Sequence, residues 1–172
     1  MTVLTTPVAT TSAVRSPRAL AWAAAAVLGV NGVIGLAGDV DDHTTALGLA
    51  SELTAGLAFV LGAVALALLT PVRGWRRVLW SLAPLGLTVA GLTMLGVSVI
   101  GSEPAEWLFV VAVLPTFVGL VAAGVLGSGR CWPWWTGAGL AVFLPVMFAL
   151  PLNSFVMALV WVAVATTARV RP

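Results

Sequence analysis

The sequence predicts an all-α membrane protein, a bundle of six transmembrane helices with N-terminus and C-terminus both cytoplasmic. Three observations predict it. The chain is 60% hydrophobic and only 8% charged, against roughly 25% charged in soluble domains, so it lacks the polar residues needed to cover a water-facing surface. Its apolar runs reach the ~20 residues that cross ~30 Å of hydrocarbon. Every cationic side chain is Arg, and the arginines sit in four places: Arg15 and Arg18, then Arg73, Arg76 and Arg77, then Arg130, then Arg169 and Arg171. Asp39, Asp41, Asp42, Glu103 and Glu106 occupy alternate gaps between them. A chain that crosses and returns between successive clusters leaves every arginine on one face, and Arg in short loops stays cytoplasmic. A β-barrel would need ~10-residue segments of alternating polarity, and that alternation is absent.

Residues 1–17, rich in Thr, Ser and Pro, read as a disordered cytoplasmic tail. Residues 18–172 read as a single transmembrane domain, because no polar linker offers a place for a second one. The first span is expected at about 19–37. Its apolar run is longer than the 7–15 residues of a signal-peptide core, so a retained span is expected rather than a cleaved one. Gly29, Gly32 and Gly35 recur along it and are the expected helix-packing residues, since small side chains let helices approach closely in lipid.

The second span is expected at about 46–69, started by Thr44 or Thr45 as N-cap and broken by Pro71 and Gly74. The third covers about 78–100, with Pro84 in its first turns. The fourth covers about 105–126, with Pro115 expected to kink it. The uncharged stretch from Pro133 to Ala168 is too long for one crossing: about 36 residues make a helix of ~54 Å. Leu150-Pro151-Leu152-Asn153 supplies a turn, giving spans at about 134–150 and 154–168; a re-entrant hairpin is the alternative. Trp22, Trp75, Trp80, Trp107, Trp132, Trp134 and Trp135 fall near span ends, the headgroup level that indoles prefer, whereas Trp161 is expected deeper.

Glu52 lies inside the second span, where an ionisable group is costly and marks an interior or water-facing position. In an antiparallel hairpin turning near Asp42, Asn31 reaches a similar depth, so Asn31 and Glu52 form an expected intramembrane polar pair. Asp39, Asp41, Asp42 and His43 are usable cation ligands, although the run lacks the distal Glu of a calcium loop. Its bland reading is a solvated loop that caps the next helix. Cys131 stands alone, so it forms no intrachain disulfide, and it is expected to be a small interfacial residue.

No phosphate loop, HExxH, GxSxG or CxxC motif occurs, and no cofactor is expected. The dispersed arginines are no nucleic-acid footprint despite the net charge of +2. The expected partners are the lipid bilayer and another membrane protein or a second copy of the chain. The absence of Lys beside abundant Ala, Val, Gly and Leu fits a GC-rich bacterial coding bias, which points to the bacterial cytoplasmic membrane. The first functional expectation is therefore a non-enzymatic multi-pass membrane protein, a structural or partner subunit of the cell envelope. One alternative is a small transporter or channel with Glu52 as intramembrane acid. Another is a membrane enzyme acting on lipid-like substrates at the outer face through the Asp39–His43 loop.

Overall fold

The computed structural model describes residues 16–42, 44–100 and 106–169. Arg15, His43, Glu103, Arg171 and nearly all of the expected 1–17 tail lie outside them. The described residues form α1 (Pro17–Ala37), α2 (Ala46–Leu68), α3 (Trp75–Ile100), α4 (Glu106–Gly127), α5 (Trp134–Ala141), α6 (Phe143–Ala149) and α7 (Asn153–Thr167). α1, α2, α3 and the Val110–Gly127 part of α4 are long and apolar enough to cross a membrane.

Local chemistry explains the boundaries. Pro17 opens α1, at the position where its missing N–H has no helical acceptor to satisfy. Thr45 caps α2, its hydroxyl accepting from the Gly48 amide at 3.0 Å. Gly74 takes φ +63 just before α3, a left-handed conformation that glycine adopts without a Cβ clash. α4 stays helical through Pro115.

The fifth expected span is not a single helix. α5 stops at Ala141 and α6 restarts at Phe143. Pro145 is the cause: it has no amide to donate to Ala141, and its ring crowds that carbonyl. The expected turn at 150–153 is present, with Leu152 in the left-handed region at φ 58 and the Asn153 side-chain amide donating to the Met147 carbonyl at 2.6 Å.

Neighbouring helices run antiparallel and close into a ring. α1 packs on α2 and α7, α2 on α3, α3 on α4, α4 on α5, and α7 on both α5 and α6. The first and last helices are therefore side by side. Arg18 at the start of α1 donates through Nε at 2.8 Å, and through Nη2, to the Ala168 carbonyl at the end of α7, where a cation also complements the helix dipole. At the same end the Arg169 amide donates to the Cys131 carbonyl at 2.7 Å, and the Cys131 thiol faces the Leu69 carbonyl at 3.7 Å. The arginine-bearing segments of the described residues thus converge on one end of the molecule.

The centre is built from aromatic rings set against glycine. Trp161, 0% exposed, occupies the space beside Gly62, where a Cβ would overlap its ring. Phe143 meets Trp161 edge-on at 6.1 Å and Phe59 at 6.1 Å. Trp161 is deep, as expected, but Trp80 and Trp132 are not belt residues. Both are buried, stacked at 5.6 Å, and the Trp80 indole donates to the Leu66 carbonyl at 2.9 Å. A tight loop over Gly127–Trp132 turns Trp132 inward. Trp22, Trp75, Trp107, Trp134 and Trp135 remain exposed. Cys131 is buried.

The exterior is as apolar as the interior: Val30, Val33, Leu57, Leu85, Leu92 and Val99 all face outward. Water would not tolerate so continuous an apolar surface on a monomer. Four spanning helices with this exterior point to an integral membrane protein. Lipid tails are as apolar as Leu, so close packing and interhelical hydrogen bonds hold such helices together.

Candidate functional site

Glu52 is half-buried on α2 and lines a cavity of about 310 Å³. α2 also contributes Phe59; α3 supplies Thr93, Met94 and Val97; α4 supplies Ala112 and Thr116; α6 supplies Leu144, Met147 and Phe148. These positions belong to the half of the molecule away from the arginines. The cavity follows from the Pro145 break: α5 packs along α4, whereas α6 barely touches it. The divergence leaves space between α3, α4 and α6 that apolar side chains line without filling.

Glu52 is the ionisable group among the lining residues. The two threonines contribute little polarity, because the Thr93 hydroxyl donates to the Val89 carbonyl at 2.9 Å and the Thr116 hydroxyl to Ala112 at 2.6 Å. The site is therefore an apolar chamber with one carboxylate on its wall. Such a chamber suits a molecule with a hydrophobic body and one cationic or hydrogen-bond-donating group. Acid–base catalysis takes a second positioned polar group, and the hydroxyls at hand are already turned to the backbone.

Asn31 hydrogen-bonds Ser51, Thr54 and Ser154. It is 6% exposed, and its amide donates to the Ser51 carbonyl at 2.8 Å and to the Thr54 hydroxyl at 2.8 Å. Its carbonyl oxygen accepts from the Ser154 hydroxyl at 2.6 Å. Helical rotation selects these partners. Ser51 precedes Glu52 by about 100° around the helix, so Ser51 meets α1 while Glu52 meets the chamber.

Comparison of the chain with protein-family models, curated proteins and solved structures gives no match.

The acidic loop is organised by its own hydrogen bonds. An Asp39 carboxylate oxygen accepts from the Asp41 amide at 2.9 Å; one from Asp42 accepts from the Thr44 amide at 2.9 Å and hydroxyl at 2.6 Å. His43 lies outside the described residues, and within them no group of three potential ligands gathers to hold a metal ion.

Of the glycines expected to pack α1, only Gly32 meets a neighbour, the Phe155 ring, at 2.8 Å from a built Cβ. Gly29 and Gly35 face open space. Close approaches occur instead at Gly56 against Gly91, Gly86 against Thr116, Gly119 against Ala83 and Gly124 against Gly137. The sequence also gave no warning of Met94, Met147 and Phe148 as chamber walls. The usable signal was Pro145, two residues before Met147.

Proposed function

We propose that the protein is a non-enzymatic multi-pass membrane protein that binds, and by extension carries, a small amphiphilic cation in the Glu52 chamber. The observation that carries this reading is a carboxylate set in the wall of a cavity of about 310 Å³ that is otherwise apolar. In low dielectric a carboxylate attracts a cation far more strongly than in water, and the Met and Phe walls accommodate its hydrocarbon part. The reading includes six crossings with both termini cytoplasmic, α5 and α6 together forming the fifth. The convergence of Arg18, Arg130 and Arg169 at one end supports that orientation. The chamber then opens toward the outer half of the bilayer.

The test is equilibrium binding of phenethylammonium, beside its neutral isostere 2-phenylethanol, to protein reconstituted in phosphatidylcholine nanodiscs. The cation binds and the neutral compound binds at least about ten-fold more weakly; Glu52→Gln removes the difference. Equal binding of both compounds by the native chain would rule the reading out.

A second reading, a subunit that docks with another membrane protein or with its own copy, is favoured by Gly29 and Gly35. Both leave room for a close-packed helix on the outside of α1. Its test is whether Gly29→Leu with Gly35→Leu lowers the oligomeric mass measured in mild detergent.

A further inference from the structure

Arginines from separate parts of the chain surround one hollow at the end opposite the chamber. Arg73 comes from the segment joining α2 to α3, Arg76 from the first turn of α3, and Arg130 from the segment joining α4 to α5. With Thr70, Pro71 and Val72 they line a concavity of about 590 Å³. A smaller hollow of about 120 Å³ shares Thr70, Pro71 and Arg130 with it and adds Arg169 from the end of α7. Arg130 belongs to both.

The floor is rigid. The Arg169 amide is tied to the Cys131 carbonyl at 2.7 Å, and the Cys131 thiol approaches the Leu69 carbonyl at 3.7 Å. Beneath them Trp80 stacks on Trp132 at 5.6 Å. The loop geometry is fixed by Gly74 and Gly129, both at positive φ. Among the described residues these guanidinium groups meet no acid. Asp39, Asp41 and Asp42 lie at the other end, and Glu52 faces the chamber. Arg130 donates to the Leu126 carbonyl at 3.1 Å, and Arg76 lies 5.6 Å from the Trp75 ring centre; both leave donors to spare. Exposed Trp75, Trp134 and Trp135 set this end at headgroup level.

We propose that this hollow is a phosphate site, built from Arg130 with Arg73, Arg76 and Arg169. Guanidinium forks match phosphate oxygens in pairs, and these four supply charge that no carboxylate among the described residues balances. The same chemistry is offered by an anionic lipid headgroup and by a free phosphate, and the experiment separates the two. Arg77 provides the control. It follows Arg76 in α3 and carries the same charge, yet it does not line either hollow. Loss of Arg77 reports the diffuse attraction that any arginine at this face exerts.

The experiment uses the full chain and the variants Arg130→Gln, Arg73→Gln and Arg77→Gln. One arm measures retention of phosphatidylglycerol against phosphatidylcholine by native mass spectrometry. The other measures the stabilisation of delipidated protein in detergent by inorganic phosphate. Arg130→Gln and Arg73→Gln weaken binding at least about ten-fold more than Arg77→Gln does, as expected for lost charge-assisted hydrogen bonds. That result in the lipid arm identifies a headgroup site; in the phosphate arm it identifies a soluble anion. The proposal is overturned if the three variants fall together within about two-fold, or if the native chain neither prefers phosphatidylglycerol nor responds to phosphate.

Discussion

The Ser154 hydroxyl donates to the Asn31 side-chain carbonyl at 2.6 Å, joining residues 123 positions apart and closing the ring between α1 and α7. The same Asn31 amide reaches Ser51 and Thr54 on α2, so one side chain ties three helices together. Hydrogen bonds between membrane helices average about 0.6 kcal/mol and reach about 1.7. Asn31→Leu is therefore expected to cost about 1–2 kcal/mol, measured as a lower midpoint in SDS titration of detergent-solubilised protein. Asn31→Asp keeps the acceptor for Ser154 but loses the donors, and an intermediate midpoint is expected.

Gly62 and Gly29 are expected to behave oppositely. A Cβ on Gly62 overlaps the buried Trp161 ring, whereas one on Gly29 meets nothing within 4 Å. Gly62→Ala should destabilise by about 1–3 kcal/mol through overpacking. Gly29→Ala should be neutral or stabilise by up to about 1 kcal/mol, because helical glycine carries an entropy cost. Thermal unfolding of both variants in one detergent checks the contrast.

Pro145→Ala should heal the break between α5 and α6. The restored amide can donate to Ala141, and α6 can then continue along α4 in place of diverging from it. The expected outcome is a rise in helical circular dichroism together with weaker phenethylammonium binding, since the chamber depends on that divergence. Unchanged binding would separate the chamber from the proline.

Ala90→Phe tests the chamber without touching its charge. Ala90 lines the wall, and a phenyl ring there occupies much of the space. Binding of the cation should fall at least about ten-fold, while the Trp161 core, on the far side of Phe59, keeps its near-ultraviolet circular dichroism.

Much of this architecture was legible because lipid imposes a simple rule: an apolar run of spanning length is a helix, and Arg marks its cytoplasmic end. That rule located α1 to α4, the Pro151 turn and the Thr45 cap. Rotation about each helix axis was not legible. With interior and exterior equally apolar, no amphipathic stripe says which face turns inward. Sequence alone therefore does not separate Gly32, which packs on Phe155, from Gly29 and Gly35, nor show that Asn31 meets Ser51 or that Trp80 and Trp132 stack inside. The chamber escaped for a related reason, since its walls come from four helices and are joined only by folding. Pro145 was visible, but its consequence depends on α4 continuing straight while α6 departs.

The most direct test of the membrane arrangement is cysteine accessibility in a Cys131→Ala background, with single cysteines replacing Asp41, Arg76, Pro151 and Arg169 in turn. An impermeant maleimide applied to intact cells is expected to label positions 41 and 151. Positions 76 and 169 should react only after permeabilisation. Labelling of 41 and 76 from the same side, or of 151 together with 76 and 169, would contradict the six-crossing arrangement and with it the outward-facing Glu52 chamber.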